Sequence, residues 1–175
     1  MDEALAARIH GLLRDVPDFP KPGIVFKDIA PLLADADAFA EVIQALAGCA
    51  GAGVDVVAGI EARGFLLAGA LACELGAGLV PVRKAGKLPP PTLRRAYELE
   101  YGSAEIEVPM HVLAGRRVLL VDDVLATGGT MRAAADLIAE AGGTVTAMAV
   151  ILELGFLDGR AALDPLPRLE ALLTL

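Results

Sequence analysis

Two adjacent carboxylates, Asp122 and Asp123, directly follow the apolar run Val118-Leu119-Leu120-Val121. After Val124 and Leu125 come five small or hydroxyl residues, Ala126, Thr127, Gly128, Gly129 and Thr130. The apolar run reads as a buried strand that carries both acids to its C-terminal edge, where open α/β sheets bind ligands. Ala126 and the glycines then let backbone N–H groups close around an anion, and the Thr127 and Thr130 hydroxyls add donors. A helix beginning near Thr130 turns its positive end toward the same spot. A phosphate fits this cradle, and the vicinal hydroxyls of a ribose fit the carboxylates. The alternative for the same residues is a plain strand–turn–helix with turn-shaping glycines and solvated aspartates.

An anionic ligand also needs cations. Arg63 stands beside Gly64 just after a second predicted strand, and its planar fork can hold two oxygens. Lys84 and Lys87 flank Gly86 on a long loop, where they are either solvated surface charges or further phosphate ligands. Glu98, Glu100, Glu105 and Glu107 alternate with other residues as on the solvent face of a hairpin. Glu100, followed by Tyr101, is alternatively an acid/base group. Phe26 is either a core aromatic or a stacking platform, with His10 and His111 read as surface residues. Cys49 and Cys73 lie in apolar, Ala-rich stretches outside any CxxC or Cys/His cluster, which predicts two reduced core thiols and no disulfide or zinc site. The glycines of Gly48–Gly53 precede a strand instead of following one, so they read as a helix end and turn, not as a phosphate loop.

The elements that must position these groups follow from periodicity. Leu5, Ile9, Leu12 and Leu13 predict a helix over 3–14, and the pattern of 36–50 predicts another. The prolines between Asp18 and Pro31 predict a structured loop. Strands are expected at Val54–Gly59, Leu79–Arg83, Val118–Val121 and Val145–Leu152, with helices over Phe65–Leu75 and Thr130–Ala141. Gly86, the prolines 89–91 and clustered charges make 84–102 a long excursion, and long loops in compact domains are commonly functional. Strands alternating with helices imply right-handed βαβ units, hence an α/β fold with a mainly parallel sheet. With 175 residues, 55% of them hydrophobic, the chain fits one globular domain spanning 1–175. A net charge of −8 argues against a general nucleic-acid surface, which needs a basic face. The N-terminus carries acids and lacks a long apolar region, unlike a signal peptide, and the run Gly64–Cys73 is too short to span a bilayer. A cytoplasmic protein without nucleic-acid or membrane partners is expected.

The stretch Val118–Thr130, with its apolar run, two acids, small residue and TGGT in order, resembles the signature by which type I phosphoribosyltransferases bind 5-phosphoribosyl 1-pyrophosphate (PRPP). Three further segments resemble the adenine-specific branch of that family: Asp18–Leu33 its base-binding segment, Ala62–Phe65 its pyrophosphate loop, and Arg83–Pro89 with Glu98–Gly102 its mobile hood. The resemblance runs over roughly residues 5 to 173. It implies a Rossmann-like core, an N-terminal base-binding cap over 1–34 and a hood loop over 84–107. It implies purine salvage, adenine and PRPP giving AMP and pyrophosphate, with Mg²⁺ held mainly by PRPP and water, in a homodimer. Hypoxanthine, guanine, xanthine or orotate is the alternative base, and a PRPP-sensing regulator the alternative class.

The resemblance assigns PRPP to Arg63, Lys84, Lys87, Asp122, Asp123 and Ala126–Thr130. The base falls to Val25, Phe26, Lys27 and Leu125, proton transfer to Glu100, stabilisation of the developing ribose cation to Asp122 and Asp123, and closure of the site to Tyr101. Three residues depart from the family pattern: Lys27 stands where Arg is common, Ala85 where a basic residue is frequent, and Pro91 where Gly is frequent.

Overall fold

The computed structural model describes residues 3–51, 53–99 and 102–175. Helix α1 (Glu3–Leu12) leads into strand β1 (Arg14–Pro17), which pairs antiparallel with β2 (Val25–Asp28). The proline-rich region predicted as loop therefore contains a strand and a short helix, α2 (Ala30–Ala34). Its prolines fall where neither element needs their missing N–H: at the end of β1, in the turn, and in the first turn of α2. Across the ribbon, Arg14 pairs with Asp28 at 2.8 Å and Lys27 with Asp15 at 2.8 Å.

Helix α3 (Ala36–Cys49) begins at Asp35, whose carboxylate accepts the Ala38 N–H at 2.9 Å. Strand β3 (Val56–Ile60) follows the Gly-rich turn, then α4 (Gly64–Leu75) and β4 (Gly78–Lys84). Next come β5 (Thr92–Leu99), β6 (Gly102–Pro109), β7 (Arg117–Leu125), α5 (Gly129–Glu140) and β8 (Thr144–Glu153). Two 3₁₀ turns, Gly155–Leu157 and Gly159–Leu163, lead to β9 (Leu169–Thr174).

The main sheet has seven strands in the order β5-β6-β4-β3-β7-β8-β9. The pairs β4/β3, β3/β7, β7/β8 and β8/β9 are parallel, and β6 pairs antiparallel with β4 and β5. The hood predicted as a loop is mostly this β5–β6 hairpin, added to the edge of the parallel sheet. Arg95 ties the hairpin to α5 through Glu140 at 3.1 Å.

Successive residues of a strand face opposite sides of a sheet, and the core obeys that period. Ala58 and Leu120 pack with Met131 and Leu137 of α5 on one face, whereas Val57, Leu119 and Val121 pack with Leu46 of α3 and Leu67 of α4 on the other. Leu120 is fully buried, so its truncation to Ala costs about 2–5 kcal/mol. Cys73 departs from its expected place. It is exposed on α4, whereas Cys49 is half-buried and donates to the Ala45 carbonyl, and both are free thiols.

Candidate active site

From β3 the chain crosses through α4 to β4 on one side, and from β7 through α5 to β8 on the other. The C-terminal ends of β3 and β7 therefore border the crevice where the winding of an open α/β sheet reverses. The segments that leave these ends touch. A Cβ built on Gly64 would lie 3.0 Å from both Asp122 Oδ1 and the Val121 carbonyl, so any side chain here would press on the acid-bearing strand.

Asp122 and Asp123 stand near the end of β7, Asp123 buried and Asp122 half-buried at the edge of a concavity. Burial, reinforced by the neighbouring Asp123 charge, pushes the Asp122 carboxyl well above the ordinary carboxylate range. Burial also raises Asp123, outweighing the opposing pull of Arg63. Asp122 Oδ1 accepts the Asp123 N–H at 2.8 Å. Arg63 Nη2 lies 2.7 Å from Asp123 Oδ2, an ion pair in which no N–H is aligned for a hydrogen bond to that oxygen. The same guanidinium sits 4.7 Å from the centre of the Phe26 ring and contacts the Lys27 carbonyl at 3.4 Å. Arg63 thus joins the N-terminal ribbon to the carboxylate pair.

Beyond Leu125 the chain makes the turn predicted from its glycines. Gly128 has φ +82 and is the residue preceding α5, which has no side-chain cap; the first helical bond runs from Arg132 N–H to the Gly128 carbonyl at 2.9 Å. Amides of the first helical turn have no partner within the helix, the local condition for anion binding. Asp122, Leu125, Ala126, Thr127, Gly128 and Thr130 line a concavity of about 70 Å³ here. Only Gly128 takes the left-handed turn conformation; Gly129 is already the first residue of α5. A Cβ on Gly128 would strike the Gly159 carbonyl and come within 3.0 Å of Ala162 Cβ, so the second 3₁₀ turn backs the cradle.

Two carboxylates hold the backbone that carries the lysines. Lys84 closes β4, and its amide donates to Glu61 Oε2 at 2.9 Å, a bond that leads the causes holding the Glu61 carboxyl below its ordinary range. Lys87 and Leu88 donate their amides to Glu107 Oε1 at 2.7 Å each. Thr92 Oγ1 and Arg94 Nε donate to the other oxygen at 3.2 and 3.0 Å. Burial pushes the Glu107 carboxyl up, but the amides of Leu88, Gly86 and Lys87 together outweigh it and leave the group below its ordinary range. Glu107 is 0% exposed and so does not lie on the solvent face predicted for it. Alternation of acids along a hairpin carries no sign of a loop folding back over one of them.

In the base segment Val25 is exposed, and Phe26 meets Phe19 edge-on at 5.2 Å. The Lys27 ammonium is taken by Asp15 at 2.8 Å and leaves its carbonyl to Arg63. Leu125 is buried at the floor of the concavity. Pro91, at the start of the hairpin, accepts the Met110 N–H at 3.2 Å and closes the hairpin base. Glu100 and Tyr101 lie outside the described residues.

A strand-borne acid pair, a capless helix start and an arginine meet at the switch point, and the chain matches the phosphoribosyl transferase domain family over residues 27–163. The adenine phosphoribosyltransferase of Kineococcus radiotolerans is 60% identical over 94% of this chain and 90% of its own. The crystal structure of the enzyme from Thermoanaerobacter pseudethanolicus superimposes with a TM-score of 0.93 at 48% identity, covering 97% of this chain and 99% of that one. That of the Giardia lamblia enzyme complexed with 9-deazaadenine gives a TM-score of 0.90 at 37% identity, covering 97% of each. This chain belongs to the adenine phosphoribosyltransferases.

Proposed function

We propose that the crevice between β3 and β7 binds PRPP beside adenine and joins them into AMP with release of pyrophosphate. The observation that carries this reading is the triple engagement of Arg63, with Asp123, the Phe26 ring and the Lys27 carbonyl, which sets a base platform beside a ribose-binding acid pair. Ala126–Thr130 and the start of α5 hold the 5-phosphate. Asp122 and Asp123 accept the ribose hydroxyls, and their charge stabilises the cation that develops as the C1–O bond breaks. Arg63, Lys84 and Lys87 hold the departing pyrophosphate. Phe26 stacks on the purine, Leu125 floors its pocket, and the backbone at Val25 and Lys27 reads its edge. Glu100 moves the purine proton, and Tyr101 excludes water that would hydrolyse PRPP.

Magnesium fits this site as an ion carried in by PRPP. Asp123 Oδ2 is already paired with Arg63 at 2.7 Å, and among the described residues no three acidic, His or Cys side chains cluster to cage a metal, so the ion would keep water and PRPP phosphate as its main ligands. Bound with PRPP, Mg²⁺ supplies charge neutralisation at the pyrophosphate, while Asp122 and Asp123 orient the ribose. A homodimer in the cytoplasm completes the reading, with sedimentation velocity as the test of association. Among the described residues no helix is long and apolar enough to cross a membrane. The decisive experiment is incubation with PRPP, Mg²⁺ and equal amounts of adenine, hypoxanthine, guanine and xanthine. AMP is the expected nucleotide, and IMP, GMP or XMP in its place would overturn the choice of base.

A further inference from the structure

We propose that Glu107 is a positioning residue for pyrophosphate: its buried carboxylate holds the turn that carries Lys84 and Lys87 in its binding shape before substrate arrives. The inference rests on the reading that these two lysines grip the pyrophosphate. The carboxylate is fully occupied from two directions. One oxygen takes the amides of Lys87 and Leu88, at the far side of the turn, and the other takes Thr92 Oγ1 and Arg94 Nε, where the chain enters β5. Glu107 also lies opposite Arg83 in the β4/β6 register and opposite Arg94 in the β5/β6 register. One side chain therefore ties the outgoing arm of the turn to the start of β5, while backbone pairing of β6 with β4 holds the incoming arm.

A buried carboxylate is costly unless its charge is paired and its lone pairs are filled, and this one meets both conditions. How it does so matters for the lysines. Glu107 bonds the amide of Lys87 and Glu61 bonds the amide of Lys84, while among the described residues neither ammonium is in a direct ion pair, Lys84 feeling Glu61 only through its field. Both lysines are exposed residues. The negative charge is spent on backbone donors and Arg94, so the turn is held rigid without quenching the cations it presents. A glutamine keeps one acceptor for the amides but turns an NH₂ toward the Arg94 guanidinium, two donors face to face. The turn would then be released from one side, and misplacement of binding groups by about 1 Å costs about 10²-fold in rate.

The test compares Glu107→Gln, Lys84→Ala, Lys87→Ala and the double variant Glu107→Gln/Lys87→Ala by calorimetric titration with PRPP and by steady-state kinetics. Glu107→Gln is expected to weaken PRPP at least tenfold while the KM for adenine stays within threefold, with little added loss in the Lys87→Ala background. Lysine variants that weaken PRPP beside a Glu107→Gln enzyme that does not, or that loses both substrates equally, would overturn the role of Glu107 alone. Lysine variants with unaltered PRPP affinity would overturn the lysine reading itself. Should Glu107→Gln fail to fold, hydrogen exchange in the wild-type protein without PRPP decides. The Lys87 and Leu88 amides are expected to be protected, and exchange at the rate of an open loop would reject a preformed turn.

Discussion

The guanidinium of Arg63 lies 4.7 Å from the centre of the Phe26 ring while its Nη2 lies 2.7 Å from Asp123. One cation thus covers the proposed base platform and neutralises the proposed ribose site at once. Arg63→Ala is expected to weaken PRPP about ten- to hundredfold, the worth of charged hydrogen bonds to phosphate oxygens. Adenine binding to the free enzyme should hold or tighten, because the ring face is uncovered. Arg63→Lys is expected to rescue little, since an ammonium lacks the planar fork. Titration of each variant with PRPP and with adenine separately checks this.

Asp122→Asn should separate stability from activity. The folded-state carboxyl is raised well above its ordinary value, so the stabilisation linked to its proton is complete below the unfolded pKa, about 3.9, and disappears as pH rises through the folded value. The asparagine variant is expected to be the more stable protein at neutral pH, with the advantage vanishing in acid, and to lose about tenfold or more in PRPP affinity. Thermal melts across pH together with PRPP titration measure both. A variant less stable than wild type at pH 7 would contradict a desolvated carboxylate at this position.

Gly128→Ala should damage the cradle more than its single methyl suggests. The residue sits at φ +82, and its Cβ would strike the Gly159 carbonyl. A non-glycine residue held in such a conformation costs about 1–3 kcal/mol, lowering Tm by roughly 2–4 °C per kcal/mol in a chain of this size. Calorimetric melts and PRPP titration are expected to show both losses together.

Glu100→Gln tests proton transfer. Loss of a general acid or base predicts a fall of about 10²-fold or more in kcat with KM for both substrates near wild type. A change below threefold in kcat would reject the role.

Much of this site was legible because its chemistry is consecutive in sequence. Asp122 through Thr130 announce strand, acids, turn and helix in order, and the structure builds them in that order. Arg63 was legible as a cation beside a glycine after a strand, but its stacking on Phe26 was not, since that contact joins residues brought together only by folding. Glu107 was misread for the same reason: its partners Lys87, Leu88 and Arg94 come from other parts of the hairpin, and local alternation points to solvent. The strands β1 and β2 are short and edged by prolines, which mimics loop composition, and β9 follows two prolines near the end of the chain without a helical crossover to announce it.

The contact between Gly128 and Gly159 enlarges the target that mutation presents. The cradle is backed, behind Gly128, by backbone from a segment more than a helix and a strand away, and Arg132 on α5 reaches the same segment through the Ala162 and Asp164 carbonyls at 3.3 and 2.9 Å. A Cβ on Gly159 would collide with the Ala126 carbonyl, inside the cradle itself. Lesions at 159–164 will therefore present as substrate defects, although no residue there carries catalytic chemistry. A variant-effect map scored for PRPP use should light up in two separated windows, and the second would look like noise to a reader guided by the motif alone.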